Sequence, residues 1–319
     1  MIELIAKANK FIAGHMFYVT IGALAAGFFF PLPNGIPYGK PITIILFAIL
    51  TLFASVSLSI DDFFKVLKNP RIPLWLLFLV HIGTPVVAYI MGLICYPDDE
   101  LMRLGLIIGS ILPMGVTTIV WTNILGGNIA ISVVAISLDT LLAPALTPIF
   151  MKFAAGQTVQ INYLKMMFEL ALMVAVPSVL GMILNKKYAA RPVLLGQIAA
   201  VGGFVSKFCM FTVIYLNAAN VMPFINWSLD IVGLMLLMLL LVCSAFFLGY
   251  LGTLPFKNLD RGLFISIIYN VGMRNINFGM VLAIGYFPPA VAIPVTLMLI
   301  FQQPIAAILA YFIGRKQFR

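Results

Sequence analysis

The sequence predicts an all-α membrane protein with ten transmembrane helices. Hydrophobic residues make up 63% of the 319 residues, charged residues only 9%, and the mean hydropathy is +1.12. A soluble domain cannot bury so much apolar surface, whereas transmembrane helices turn it toward lipid. Apolar stretches of about 20 residues, the length that crosses a bilayer, recur near residues 11–31, 41–60, 73–95, 102–126, 128–152, 162–184, 194–219, 227–253, 262–287 and 290–314.

The net charge of +9 is distributed unevenly between the two sides of the predicted membrane. With the N-terminus inside, thirteen Lys and Arg residues fall in inner segments and four in outer ones. Because positive residues favour the cytoplasmic side, we expect a multi-pass protein of the inner membrane with both termini in the cytoplasm. The same asymmetry accounts for the charge without nucleic acid. The three cysteines have neither metal-ligand nor disulfide spacing.

The ten predicted spans divide into two halves of five, residues 1–156 and residues 157–319. Because five is odd, the second half has inverted topology, as in inverted-repeat transporters. The fourth and ninth spans then correspond. Pro113 interrupts the fourth, and Gly272 with Arg274 interrupts the ninth. Matched interruptions indicate a binding site near the middle of the membrane; the alternative is a pair of ordinary kinks.

Arg274 lies in an unusually polar stretch of the ninth span, YNVGMRNIN at residues 269–277. An arginine at membrane depth costs about 2.5–3.5 kcal/mol. It is tolerated where broken backbone is buried in protein or lines a polar cavity. We therefore interpret this stretch as a transport or binding site.

Asp139 lies near the middle of the fifth span and shares one helix face with Ser132 and Ile136. A mid-span aspartate is functional by default; the alternative is a structural aspartate bonded to hydroxyls of neighbouring helices. Because a lone charge at this depth is costly, we expect Asp139 to form an ion pair with Arg274.

Other polar residues within spans admit two interpretations. Lys207 either pairs with Glu169 or attracts an anion, and His81 is either a packing residue or part of the functional site. Gln302 and Gln303 interrupt the tenth span and are expected to line the same cavity. The chain has no phosphate-binding GxxxxGK[ST] motif, no HExxH and no metal-ligand cluster. We therefore do not expect an enzyme.

Several spaced motifs resemble the bile acid:sodium symporter family. They are LSIDDF at 58–63, KNP at 68–70, LPMG at 112–115, NIAISV at 128–133, LAPALTP at 142–148 and NVGMRN at 270–275. The similarity covers nearly the whole chain in order. It implies two inverted five-helix repeats in which broken helices 4 and 9 cross. Spans 1, 2, 6 and 7 would form a panel domain, and spans 3, 4, 5, 8, 9 and 10 a core domain.

The resemblance also implies an activity. Family members move organic anions, such as bile acids, sulfated steroids, pantoate-like acids and keto acids, mostly together with sodium. Substrate would bind in the cleft between panel and core, beside the crossing. The residues that match cavity or crossover positions, and are expected to bind substrate, are Thr117, Thr118, Asn275, Asn277, Gln302 and Gln303.

The chain departs from the family pattern at the sodium sites. Asn270 stands where sodium-coupled members carry an acidic residue, and Arg274 stands where they carry a glutamine. Sodium prefers oxygen ligands and negative charge, and a guanidinium repels it. The other departures are Thr118 and Ile119 for a serine–asparagine pair, Ile136 for a hydroxyl residue, and Val80 or His81 for a glutamine.

The sequence thus predicts a secondary transporter of a small organic anion that works by alternating access and without sodium. The alternatives are a sodium symporter with a rearranged site and a non-transporting membrane receptor. Apart from the anion and the lipid bilayer, no partner, cofactor or metal is expected. The residues predicted to replace sodium or to couple transport are Arg274, Asp139, Asn270, Ser132 and His81.

Overall fold

The computed structural model describes residues 5, 7–9, 11, 12, 15–31, 39–56, 58–61, 64, 70–155, 161–225 and 229–315. Motif residues 62, 63, 68 and 69 lie outside this part. Within it the fold is all-helical, as predicted. In chain order the helices are α1 (Met16–Phe29), α2 (Gly39–Ser55), α3 (Arg71–Cys95), α4a (Glu100–Ile111), α4b (Thr117–Leu125), α5 (Ile129–Ala155), α6 (Tyr163–Tyr188), α7 (Pro192–Val221), α8 (Leu229–Leu251), α9a (Arg261–Gly272), α9b (Ile276–Tyr286) and α10 (Pro289–Arg315).

Six of the described helices, α3, α5, α6, α7, α8 and α10, are long and apolar enough to cross a membrane. The other four predicted spans coincide with α1, α2, the α4a–α4b pair and the α9a–α9b pair, which are short or interrupted. The fourth and ninth spans are broken where the sequence predicts. Ten crossings and an inverted repeat remain predictions.

The outward faces of the helices carry large apolar side chains. Phe153, Leu164 and Phe29 are each about four-fifths exposed, at 83%, 79% and 80%. A soluble monomer rarely shows so much apolar surface, whereas lipid solvates it without cost. The fold therefore has the surface of a multi-pass membrane protein.

Helix α3 is interrupted by a π turn at Leu79–Gly83. Pro85 follows this turn; it has no N–H and its ring crowds the preceding backbone. The helix widens instead of breaking, and Thr84 N donates to Leu79 O, five residues back. The Thr84 hydroxyl donates to Val80 O at 2.8 Å, which satisfies a carbonyl that the wider turn leaves free. This irregular turn carries His81.

The helices pack in two groups. Helices α1, α2, α6 and α7 contact one another, mainly through α7 on α1 and α2, and α6 on α2. Helices α3, α4a, α4b, α5, α8, α9a, α9b and α10 form the second group. Contacts of α9b with α2 and α7, of α7 with α10, and of α6 with α5 join the groups. The broken helices thus lie inside the second group, and one arm of the ninth span reaches the first.

The hypothesis of a Glu169–Lys207 pair is wrong. Lys207 Nζ donates to Asn9 Oδ1 and lies 3.4 Å from Gly203 O. Glu169 accepts a hydrogen bond from the Tyr286 hydroxyl. The two charges therefore have different partners: Lys207 contacts Asn9, and Glu169 contacts Tyr286 and Lys165 of its own helix.

Replacement of Gly27 tests the α1–α7 interface. A Cβ at Gly27 would lie 2.5 Å from the Ala218 Cβ and 2.7 Å from Tyr215 O, so Gly27→Ala should force the helices apart. We expect a loss of about 1–3 kcal/mol, the usual cost of overpacking. Gly22 on the same helix has nothing within 4 Å and supplies the control. In thermal unfolding of the detergent-solubilised protein, Gly22→Ala should match the parent; equal melting temperatures for both variants would contradict this packing.

Candidate functional site

The breaks in α4 and α9 lie against each other and pair through their backbones. Gly115 N donates to Met273 O at 2.9 Å, and Asn275 N donates to Pro113 O at 2.8 Å. A broken helix leaves N–H and C=O groups without partners, and hydrocarbon offers none. Each break therefore supplies the hydrogen bonds that the other lacks, and the two spans cross at this point.

Side chains from two other helices complete the crossing. Asp139 of α5 accepts from Met114 N through Oδ2 at 2.7 Å. Gln302 of α10 uses both ends of its amide on one residue, since Oε1 accepts from Arg274 N at 2.8 Å and Nε2 donates to Arg274 O at 3.0 Å. Met114 and Arg274 pair through their backbones as in an antiparallel sheet, and the Gln302 amide bonds the other side of Arg274 as a neighbouring strand would.

The close approach of the two backbones requires a glycine. A Cβ at Gly115 would lie 2.8 Å from the carbonyl oxygen of Arg274. That oxygen belongs to backbone which cannot move without breaking the crossing. Gly115 therefore permits the contact, and Pro113 ends the helix that precedes it.

Arg274 is buried at the crossing, with 2% of its surface exposed. Its Nη2 donates to the Thr84 hydroxyl at 2.8 Å, while Nε and Nη1 have no hydrogen-bond partner within the part of the chain that the structure describes. Buried donors without partners are costly and mark a place for water or a ligand. The guanidinium borders a cavity about the size of one water molecule, whose other lining residues are Thr84, Ser110, Leu241, Val242, Ala245, Gly272 and Met298.

The predicted Arg274–Asp139 ion pair is wrong. Asp139 Oδ1 lies 2.5 Å from His81 Nε2, and Oδ2 holds the Met114 N–H, so both carboxylate oxygens are occupied. The Asp139 charge acts on Arg274 only through space. His81 also stacks on Phe150, with ring centroids 5.7 Å apart. The interpretation of His81 as part of the polar site therefore agrees with the geometry.

Asn270 and Ser132 meet in a second polar cluster. Asn270 Nδ2 donates to Ser132 Oγ at 2.8 Å and to Ser266 O at 2.7 Å, and Ser132 Oγ lies 3.4 Å from the Thr122 hydroxyl. Asn270 Oδ1 is buried and, among the described residues, has no hydrogen-bond partner. The cluster has several oxygens but no carboxylate.

Two of the predicted substrate residues are buried within the protein. Thr118 is fully buried, with its hydroxyl 3.5 Å from Tyr269 O. Gln302 is 3% exposed, and both its amide oxygen and its amide nitrogen bind Arg274. In this conformation both stabilise the crossing and neither presents a free polar group.

The other four predicted substrate residues are half-buried around the crossing. The Thr117 hydroxyl accepts from Gln303 Nε2 at 3.4 Å, and Gln303 Oε1 accepts from Trp121 Nε1 at 3.1 Å. Asn275 caps α9b by accepting from the Phe278 N–H at 3.3 Å. Asn277 Oδ1 has no hydrogen-bond partner.

Sequence reasoning misses Thr84, which links three elements of the site. Its hydroxyl contacts Val80 O, Ser110 O at 3.0 Å and Arg274 Nη2. The available signal was a threonine directly before Pro85 within a span, because a hydroxyl there can bond a carbonyl that the proline frees.

Comparison with known proteins identifies the family. The model of the Sodium Bile acid symporter family matches residues 43–226 of the chain. The chain belongs to this family. It is therefore a multi-pass membrane transporter, as its motifs suggest.

Three relatives illustrate the similarity. YbaS, an uncharacterized protein of Bacillus subtilis, is 29% identical over 303 residues, 94% of this chain and 95% of its own length. YocS of the same organism, described as an uncharacterized sodium-dependent transporter, is 24% identical over 320 residues, 98% of this chain and 95% of its own length. The probable sodium/metabolite cotransporter BASS1 of Arabidopsis thaliana chloroplasts is 25% identical over 280 residues, 84% of this chain and 65% of its own length.

Replacement of Gln302 tests the crossing. Gln302→Leu keeps the bulk of the side chain but leaves the buried Arg274 N–H unpaired, which costs about 1–3 kcal/mol. The melting temperature in detergent should fall clearly. Gln303→Leu is the matched control, because Gln303 is half-buried and bonds only side chains. If the two variants melt together, the Gln302 amide does not hold the crossing.

Proposed function

We propose that this chain moves a small organic anion across the inner membrane by alternating access and without sodium, with both termini in the cytoplasm. The observation that carries the proposal is Arg274, a buried cation between two broken helices with two donor nitrogens unpaired. A fixed positive charge in a poorly polarisable interior attracts anions and repels cations. Arginine also offers the directional donors that suit a carboxylate or a sulfate.

The packing supports transport by two groups of helices that move relative to each other. We propose that α1, α2, α6 and α7 are the panel, and that the second group of helices is the core. We also propose that residues 1–156 and 157–319 are inverted repeats. Since α9b touches α2 and α7 of the panel, polar side chains near its start lie close to the boundary between the two parts. A substrate in that cleft would meet the crossing directly.

Arg274 is proposed to replace sodium. Three of the positions where the family resemblance implies sodium ligands are apolar here: Val80 and Ile136 are buried in one apolar cluster with Met114, and Ile119 packs against it. Such a cluster provides no oxygen for a hard cation. Asp139, the one mid-membrane carboxylate, is already committed to His81 and Met114.

The substrate is proposed to reach Thr117, Asn275, Asn277 and Gln303 first, because these polar side chains are half-buried. Thr118, Gln302 and Arg274 lie deeper, so their contact with the anion requires the movement of panel against core. Taurocholate, estrone sulfate, pantoate and pyruvate represent the anion classes and serve as probes below.

Sodium independence gives a direct binding prediction. Affinity for whichever probe binds, measured by thermal shift and calorimetry, should agree within about twofold between sodium and choline buffers, a difference below about 0.5 kcal/mol. The physical reason is that Arg274 supplies the positive charge in both buffers. Tightening by tenfold or more in sodium would refute the proposal, and binding of a probe that is not taken up into liposomes would favour a receptor.

The substrate site gives a second prediction. Thr117→Ala and Asn277→Ala should each weaken binding of the same probe about tenfold, or about 1.4 kcal/mol. Asn275→Asp keeps the helix cap but adds a negative charge, so it should weaken anion binding more. Thr212→Ala is the control, because this hydroxyl bonds Phe208 O of its own helix. Normal affinity in all three site variants would place the substrate elsewhere.

A sodium symporter with a rearranged site is the second candidate, and the orphan Asn270 Oδ1 favours it. That oxygen, with the hydroxyls of Ser132 and Thr122 nearby, gives neutral ligands that sodium accepts. In that case sodium should tighten binding, and Asn270→Ala should remove the effect. The sodium and choline comparison therefore separates the two candidates.

A further inference from the structure

The contact between His81 and Asp139 is unlike the other ion pairs of the described residues. Their side chains are 3% and 0% exposed, with Nε2 and Oδ1 2.5 Å apart. The pairs Arg103–Glu100, Lys165–Glu169 and Lys186–Asp61 each have at least one partner more than half exposed. Burial of such a pair carries a desolvation cost, which indicates that the pair has a role beyond stability.

One atom of this pair is free to take up a proton. Asp139 Oδ2 accepts the Met114 N–H. An ionised carboxylate can only accept, so the hydrogen between Oδ1 and His81 Nε2 belongs to Nε2. Nδ1 of His81 is buried and has no hydrogen-bond partner among the described residues. In the neutral ring with its hydrogen on Nε2, Nδ1 holds a lone pair. A proton added there makes an imidazolium that the adjacent carboxylate stabilises.

The groups around His81 leave Asp139 as its direct electrostatic partner. Helix α3 packs here against α4a, α5, α8 and α9a. The described charged or titratable side chains on these helices and at the break are Arg71, Tyr89, Cys95, Glu100, Arg103, Asp139, Lys152, Asp230, Cys243, Tyr250, Arg261, Tyr269 and Arg274. Of these, Asp139 alone is hydrogen-bonded to His81 in the described residues.

Charge balance links that proton to an anion. With His81 neutral, Asp139 and Arg274 sum to zero, and an incoming anion leaves the buried cluster with a net negative charge. With His81 protonated, the cluster carries one positive charge, which the anion neutralises. A buried net charge is unfavourable, so each species binds better in the presence of the other.

We propose that His81, held against Asp139, is the proton-binding site of the transporter and that its proton travels with the organic anion. The inference rests on the proposed transport of an anion. The proton comes from water on one side, binds His81 Nδ1, and is released to water on the other side after panel and core have moved. No redox step is involved. The π turn and the Met114–Asp139 bond hold the pair at the crossing, where access alternates.

Proton binding can be tested without a substrate, because the chain has two histidines, His15 and His81. His15 is exposed and stacks on Phe11, so His15→Gln leaves the site intact. In protein labelled with ¹⁵N-histidine in liposomes, NMR of this variant should show one ring. That ring should carry its hydrogen on Nε2 at high pH and gain a second proton as the pH falls.

Asp139→Asn in the His15→Gln background tests the pair. Loss of the carboxylate should change the pH at which His81 takes up its proton. A ring that keeps one protonation state from about pH 5 to 9 in His15→Gln alone overturns the proposal, even if the double variant does not fold. An unchanged midpoint in a folded double variant also overturns it.

Transport supplies a second readout. Uptake into liposomes of the probe that binds should rise at least about fivefold when external pH falls from about 8 to 6 in His15→Gln. His81→Gln, which keeps a polar group near Asp139, should abolish that pH response. Uptake without a pH response would overturn the proton proposal and leave anion transport intact; absence of any uptake with a normal His81 titration would instead count against the transport function.

Discussion

Backbone hydrogen bonding in the absence of water is the constraint on which the rest of this structure depends. Two spans are broken at the level of the membrane interior, and broken helices leave polar groups that lipid cannot satisfy. Here each break serves the other, through Gly115 N to Met273 O and Asn275 N to Pro113 O. Gln302 then binds both backbone groups of the residue at the centre. A ligand site at this point is possible because the backbone has been satisfied first.

The same constraint decides how the buried charges are arranged. Asp139 gives one oxygen to the Met114 backbone, and its other oxygen meets His81. The carboxylate is therefore a structural acceptor and an electrostatic partner at once, which leaves Arg274 with the Thr84 hydroxyl and two unpaired nitrogens. Three ionisable groups therefore share one neighbourhood, with His81 and Asp139 in contact and Arg274 outside that pair. Arg274 keeps donor nitrogens that are open to an anion, whereas a fully paired guanidinium has none.

The sequence predicts some levels of this structure much better than others. Helix positions and both breaks follow from hydropathy together with Pro113, Gly272 and Arg274, since these features are local and strong. Side-chain partners are not local. The cost of a lone buried charge predicts that Arg274 pairs with Asp139. In the structure, Met114 N and His81, 25 and 58 residues from Asp139, take its oxygens instead. The sequence does not show which backbone N–H is left free at a break. Its hydrogen bond to a carboxylate is therefore seen only in the structure.

The π turn at Leu79–Gly83 has a consequence for how this bundle can change over evolutionary time. A π turn takes up one residue more than the same turn of α-helix, and the helix on either side continues undisturbed. Deletion of a single residue there, together with replacement of Pro85, would restore a regular helix and keep both ends of α3 in register. Chain length and the imidazole can thus vary together at this turn, while the neighbouring helices, the crossing and the position of Arg274 stay unchanged. A change at position 81 would then need a small insertion or deletion instead of a new fold.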